Sequence, residues 1–336
     1  MLKLCSEITI EETSALSEGA GRRIWKFTAV ANCKITEDIS TLTDTCEIQL
    51  PKKIKWQEAI TENGKPPIKR GDKITVKLGY DEELKTRFTG FIRSVDAKTP
   101  ITLKCEDGMF ILKSHKVKPK AFKNASLQEI VAYLLDGTGI KFQLMDKDIK
   151  VGNWRLTKTH ASEELQELKE KQMLSSYFRR IGEENILYIG LAYPLDNRKK
   201  IKIMHGKNLI SENFEYRDKE DIRVRCEAQS FNAKNKKVVY EYGDKDGDLI
   251  KIRIDGLTAD ELKKYAIQAV ERYKKSGFKG SFETFGQPEV SKCDMVDIHA
   301  SDGNSGVYLI KKNEITFGTN GYRQKIELGQ ALTLSK

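Results

Sequence analysis

Residues 68–96, IKRGDKITVKLGYDEELKTRFTGFIRSVD, alternate apolar and polar side chains and break at Gly71-Asp72 and Thr89-Gly90. Side chains at a period of two point to opposite faces, so this stretch can fold only as strands with one buried and one wetted face. A similar design returns at residues 290–312, VSKCDMVDIHASDGNSGVYLIKK. In the first copy Ile68 leads through two polar residues to Gly71-Asp72, then Ile74 and Val76. In the second Val290 leads to Cys293-Asp294, then Val296 and Ile298. A small residue and a glycine open the next strand of each, TGFIRSV and SGVYLIK, and a last alternating strand follows, ITLKCED or RQKIELG. Turn glycines are common to small barrels, so shared β grammar competes with duplication as the source of the match.

The sequence between the copies differs in kind. Residues 1–115 read as β throughout, with RIWKFTAVANCKI (23–35) and DTCEIQLP (44–51) among the alternating runs. From residue 116 helix periodicity appears. Residues 124–140 open on Ser126-x-x-Glu129, a capping box, and line Leu127, Ile130, Val131, Leu134 and Leu135 along one face. A second helix is expected over 162–178 and a strand over 185–193. The β pattern resumes near 220 and is interrupted by a helix at 257–277. Its capping box is Thr258-x-x-Glu261, its buried stripe Leu262, Ala266, Ala269 and Tyr273, and its C-terminal stop Gly277. The expected fold is mainly β with an α+β insert. Two similar small antiparallel, tube-like β-barrel domains (1–115 and 220–336) flank an α+β domain (116–219).

The residues that carry chemistry are sparse. There is no G-x-S-x-G elbow, no phosphate-binding P-loop and no HExxH, and GTGIKF closes a helix where an anion site needs a helix start. Asp244 begins a fragment of a calcium loop, but its twelfth position is Asp255 where a bidentate Glu is needed. Carboxylate pairs meet only in the fold, so the acidic clusters YDEEL, GEEN and GDKDGD keep a wall-degrading, muramidase-type reading open. The six cysteines contain no CxxC, and Cys33, Cys46, Cys105 and Cys226 sit within alternating strands, where buried free thiols are expected. No metal site and no cofactor are expected. The formal charge of +10 is spread along the chain without a nucleic-acid-binding motif; a solvated surface explains it, with a nucleic-acid-binding β protein as the rival. No run approaches the ~20 apolar residues of a membrane helix, and the N-terminus lacks a signal-peptide core.

The segments STLTDTCEIQLPKK, IKRGDKITVKLGY and RFTGFIRSVD, the middle SEELQELKEKQMLSSYFRRIGEENILYIG, and LTADELKKYAIQAVERYKKSGFKGSFETFGQPEVSKCDMVDI carry a resemblance. Together they resemble the phage tail baseplate hub (late control D) family, which is related to the N-terminal hub of type VI secretion VgrG spikes. Cys293 departs from the glycine usual in the family's last turn. The resemblance implies a non-enzymatic virion component, assembled in the bacterial cytoplasm. It implies a homotrimer whose two barrels per subunit form a pseudo-sixfold ring between a hexameric tail tube and a trimeric spike. The spike would be a separate protein docked beneath the ring, and DNA or effectors would pass through the lumen without specific binding. A ring needs strand edges that pair between subunits. The candidates are the strand 44–50, with Thr45, Glu47 and Gln49 outward, and the strand 322–328, with Tyr322, Gln324 and Ile326 at the interface. Trp25, Phe27, Phe91, Phe285 and Tyr308, within alternating strands, are expected in the core.

Overall fold

The computed structural model describes residues 2–13, 23–51, 68–96, 100–145, 149–172, 174–190, 199–231, 236–253, 256–274, 276–301, 303 and 305–332. Lys52, Lys53 and Lys55, part of the chain's spread positive charge, lie outside the described residues. The first β module consists of β1 (Leu4–Glu11), β2 (Ile24–Phe27), β3 (Asn32–Asp38), β4 (Thr45–Gln49), β5 (Lys73–Tyr80), β6 (Glu83–Asp96) and β7 (Thr102–Glu106). Alternation builds these strands as expected: in β5, Ile74, Val76 and Leu78 are buried while Lys73 is exposed. A short helix, α1 (Met109–Ser114), follows in a segment expected to be β only. Asp107 Oδ1 accepts the Met109 N–H at 3.0 Å, and Met109 and Leu112 are buried in the middle module's core.

The middle module contains β8 (Lys120–Ser126), α2 (Leu127–Leu135), β9 (Lys141–Leu144), β10 (Lys150–Leu156), α3 (Ala161–Gln172), β11 (Ser175–Ile181) and β12 (Glu184–Gly190). The Ser126–Glu129 capping box forms reciprocally, and the five apolar residues of α2 are buried as their spacing requires. The second helix ends at Gln172. Residues 175–178, expected as its last turn, are strand because β11 pairs with β12 and sets Tyr177 opposite Tyr188, both fully buried. Tertiary pairing here outweighs a weak helical preference.

The second β module contains β13 (Lys200–Met204), β14 (Leu209–Arg217), β15 (Val224–Phe231), β16 (Lys237–Gly243), β17 (Asp248–Arg253), α4 (Ala259–Tyr273), β18 (Gly277–Phe285), β19 (Met295–His299), β20 (Ser305–Gly318) and β21 (Gly321–Ala331). Its capping box at Thr258 and Glu261 forms. Leu262, Ala266 and Val270 of α4 pack against Cys226 and Ala228 of β15, whereas Tyr273 is 60% exposed. Gly277 opens β18 instead of capping the helix.

One 13-stranded sheet dominates the molecule, in the order β14-β18-β21-β20-β3-β4-β7-β6-β5-β1-β2, with β19 beside β20 and β13 beside β19. Two sets of strands within it repeat in chain order: β1-β5-β6-β7-β4-β3 and β13-β19-β20-β21-β18-β14. The sets differ in that β1·β5 is antiparallel and β13·β19 parallel. Strands β13 and β14 lie in this sheet, although residues up to 219 were expected in the α+β domain. The two repeats are continuous within it, because Asn32–Asp38 of β3 pair antiparallel with Lys312–Gly318 of β20.

Candidate functional site: the junction between the repeats

The repeat is reproduced bond for bond at its two turns. The Gly71 N–H donates to Ile92 O at 2.8 Å and the Ile92 N–H to Asp72 O at 2.9 Å. In the second copy the Cys293 N–H donates to Ile310 O at 2.9 Å and the Ile310 N–H to Asp294 O at 2.9 Å. Each aspartate carboxylate closes its own turn, Asp72 accepting the Lys69 N–H at 2.7 Å and Asp294 the Ser291 N–H at 2.9 Å. Ile92 is thus equivalent to Ile310, which puts Gly90 opposite the position of Tyr308 and corrects the glycine-to-glycine match read from TGF and SGV. Gly71 and Cys293 both have left-handed φ, +94° and +69°. A side chain there costs about 1–2 kcal/mol. At Gly71 a Cβ would meet no atom within 4 Å. Cys293 is instead wholly buried with Ile39, Tyr177, Tyr188 and Leu309, where middle and second modules meet, so its side chain fills a core that the first turn lacks.

Between the turns lies a polar junction. The β5·β6 register shifts between Val76 and Lys77, which leaves Arg87 without an opposite residue on β5. Such a bulge re-aims a side chain. Arg87 is 4% exposed, although it neighbours the buried Phe88. Its Nη1 donates to Tyr322 Oη at 2.7 Å and Gly286 O at 3.2 Å, and its Nη2 to Gln324 Oε1 at 2.9 Å and Val290 O at 3.0 Å. Gln324 Nε2 in turn donates to Phe285 O at 2.9 Å and Pro288 O at 3.0 Å.

Beside this network lies a cleft lined by Glu37, Asp44, Arg87, Asp107, Arg179 and Lys292. Lys292, with a side chain 2% exposed, places Nζ 2.6 Å from Asp44 Oδ2. Asp44 donates its N–H to Asp107 Oδ2 at 3.0 Å, and Lys292 donates its own to Glu37 Oε2 at 3.2 Å. Arg179 of β11 reaches Asp294 Oδ1 at 2.8 Å, with both side chains buried. Burial and then the nearby Asp44 push both Glu37 and Asp107 up to about 7. Burial also raises Asp44. Burial alone would lower the Lys292 ammonium, but Asp44, Asp107 and Glu37 outweigh it and hold it above the ordinary lysine range. The cleft is a set of internal ion pairs joining three modules, and its charges are spent on each other. Among the described residues no three His, Cys, Asp or Glu side chains are grouped as metal ligands.

The sequence-predicted interface residues lie on two strands that are each paired on both sides. Thr45 and Glu47 are exposed and Gln49 half-buried, as alternation requires, but β4 is paired on both sides by β3 and β7 and offers no edge. Strand β21 is likewise held between β18 and β20. Tyr322, Gln324 and Ile326 are buried, the first two in the junction and Ile326 in the core of the second module, and Lys325 on the same strand is exposed. Trp25 and Phe27 are half-buried against the first core and Tyr308 is buried in the second, whereas Phe91 is half-buried and Phe285 is 40% exposed. Cys33, Cys46, Cys105 and Cys226 are buried and unbridged. The junction residues Arg87, Glu37, Asp44, Asp107 and Lys292 were not anticipated. Their only signal in the sequence is a charge next to a turn or within an alternating run.

No family model and no curated protein matches the chain. Solved structures do. It is similar to the 43 kDa tail protein of prophage MuSo2 from Shewanella oneidensis, at 14% identity and TM-score 0.61, covering 97% of this chain and 98% of that one. The tail protein of Neisseria meningitidis MC58 gives 10% identity and TM-score 0.66, over 97% and 96% of the two chains. The E. coli c3393 protein, a type VI secretion component, gives 10% identity and TM-score 0.55, over 91% and 74%. At these identities the likeness is one of fold: the chain is mostly β, with the architecture of phage tail proteins and of a type VI secretion component.

Proposed function

We propose that this chain is a structural hub of a phage tail or related injection machine. Three copies form a ring in which six repeats surround one axis, matching a sixfold tail tube on one side and a threefold spike on the other. The observation that carries this reading is the internal repeat, with the same strand order in both sets and the same backbone bonds at Gly71-Asp72 and Cys293-Asp294. Closed rings need equivalent contact patches, and a chain with two such patches supplies six from three copies. Likeness in fold to proteins described as tail components, and to a Francisella PdpA–VgrG complex, supports the setting. The protein acts in the tail or baseplate without catalysis, and its lumen passes DNA or effectors without reading them.

Light scattering across a concentration series tests the ring. A stable mass of three chains, and rings with a central hole in electron micrographs, is the expected result. A mass of one or two chains at every concentration speaks against it, as does muramidase activity abolished by a single Asp or Glu substitution that leaves the fold intact.

A further inference from the structure

The excess charge that reads along the sequence as scattered lysines is gathered in space. Residues 113–126 and 149–160, which hold β8 and β10 with their flanks, contain eight of the chain's 59 Lys and Arg and none of its 49 Asp and Glu. The rest of the chain is therefore close to neutral, although the formal charge is +10. The two segments form one antiparallel ribbon. The Lys116·His160 bridge keeps the register of the Lys120·Leu156 pair, which sets Lys118 opposite Lys158. Like charges directly opposite each other destabilise a strand pair. Val117 is buried in the middle module's core, so Lys116, Lys118 and Lys120 share the outer face of the extended chain at ~6.6 Å intervals. Lys123 and Arg155 are exposed on the same ribbon.

The carboxylates that border this face are engaged. Glu129 accepts the Ser126 N–H at 2.8 Å and Glu163 the His160 N–H at 3.0 Å, each at the start of its own helix. Glu167 lies 3.6 Å from Lys158 and also holds Lys171. Lys116, Lys118, Lys120, Lys123 and Arg155 have no carboxylate partner among the described residues. Lys120 is nonetheless fixed in position, with Nζ 4.7 Å from the Phe122 ring centroid and 4.2 Å from that of Tyr133. Tyr133 Oη donates to Lys118 O at 3.3 Å and ties the helix α2 to the same strand.

We propose that this ribbon face docks an acidic protein segment in extended conformation, whose carboxylates at every second residue meet Lys116, Lys118 and Lys120. Alternate side chains of an extended polypeptide repeat at the same ~6.6 Å as these lysines. The chemistry favours carboxylates over a nucleic acid. Phe122 and Tyr133 are half-buried and carry Lys120 upon them, so neither ring stands clear for a base to stack on. Of the five cations without a carboxylate, only Arg155 offers the planar fork that suits phosphate; the others are point charges. Pro119 and the lysines beside it keep a further strand from pairing with this part of the ribbon, so the partner is held through side chains. The face belongs to the middle module, outside both repeats, and docking there does not require a ring.

Fluorescence anisotropy with the full chain at low salt tests the face. The probes are an alternating Glu-Thr octapeptide, an octapeptide of the same composition with its Glu residues consecutive, and a short DNA duplex. The alternating peptide is expected to bind several-fold more tightly than the blocked one. The Lys118→Glu/Lys120→Glu variant is expected to lose about tenfold or more of that affinity. Lys263→Glu/Lys264→Glu on α4, exposed and with the same change of charge, should keep it. Unchanged melting temperatures show that both variants are folded. Equal losses in the two variants reduce the binding to net charge and overturn the proposal, as does an alternating peptide that fails to bind. Equal affinity for the two peptides overturns the extended geometry. A duplex that binds more tightly than either peptide, and is released by the same two substitutions, makes the face a nucleic-acid surface instead.

Discussion

Nη2 of Arg87 donates to Oε1 of Gln324 at 2.9 Å, joining two buried side chains 237 residues apart in sequence. One comes from the first repeat and the other from the second, and the same guanidinium also holds Tyr322, Gly286 and Val290. The two β modules are therefore fixed to each other by a planar fork that no other side chain supplies.

Arg87→Met is expected to cost about 3 kcal/mol or more, because it leaves several buried acceptors without a donor. Arg87→Lys should recover only part of the loss, since an ammonium cannot reproduce the fork. Urea denaturation of the three proteins measures this, and equal midpoints for all would show that the network does not hold the modules.

Stability should depend on pH through the cleft. Glu37 and Asp107 are held near 7 in the folded chain, above their unfolded values of 4.5 and 3.8. A raised pKa means that the folded state keeps a proton the unfolded state has lost. The contribution is complete below pH ~4 and is lost as pH rises through about 7. Each unit corresponds to about 1.4 kcal/mol. The melting temperature should therefore be higher at pH 5.5 than at pH 8 by several degrees. Glu37→Gln should flatten that slope, and a wild-type profile that rises over this interval would contradict the assignment.

Lys292→Met removes the cation from beneath Asp44, Asp107 and Glu37. Breaking a buried pair from one side typically costs about 3–5 kcal/mol. The loss should be steeper at pH 8 than at pH 5.5, because the carboxylates left behind can take up protons at the lower pH. Denaturant midpoints at the two pH values check both statements, and a loss of the same size at each would separate Lys292 from the acidic cluster.

The two turns make a matched pair of backbone experiments. Gly71→Ala has space for its Cβ but keeps a φ of +94°, so it should cost about 1–2 kcal/mol through the backbone alone. At Cys293 the strain is already present, with the thiol packed in a core. Cys293→Ala keeps the strain and loses the sulfur, whereas Cys293→Gly loses the sulfur and releases the strain. The glycine variant should be the more stable of the two in thermal melts; the reverse order would mean that packing outweighs backbone strain there.

How much of this was legible depended on range. Alternation placed Ile74 and Val76 inward, and the capping boxes at Ser126 and Thr258 located two helix starts to the residue. The repeat was visible in Ile68-x-x-Gly71-Asp72 and Val290-x-x-Cys293-Asp294, but the bulge at Arg87 was not, because the residue it turns inward beside Phe88 is a polar arginine and reads as an outward position. Gln324 and Tyr322 were expected at an interface between subunits, since nothing local tells what covers a strand whose partners lie far along the chain. Which strand is an edge depends on pairings such as β3·β20, which connect distant segments.

That pairing also sets an order of events. Residues 32–38 meet residues 312–318, so β3 waits for some 280 intervening residues to be synthesised before its outer edge is covered. At roughly 5–20 residues per second the delay on the ribosome is tens of seconds at the slow end. Throughout that time the first module presents Cys33 and Ile35 on a strand whose neighbour does not yet exist. Newly made copies crowded on one message would carry many such strands at once.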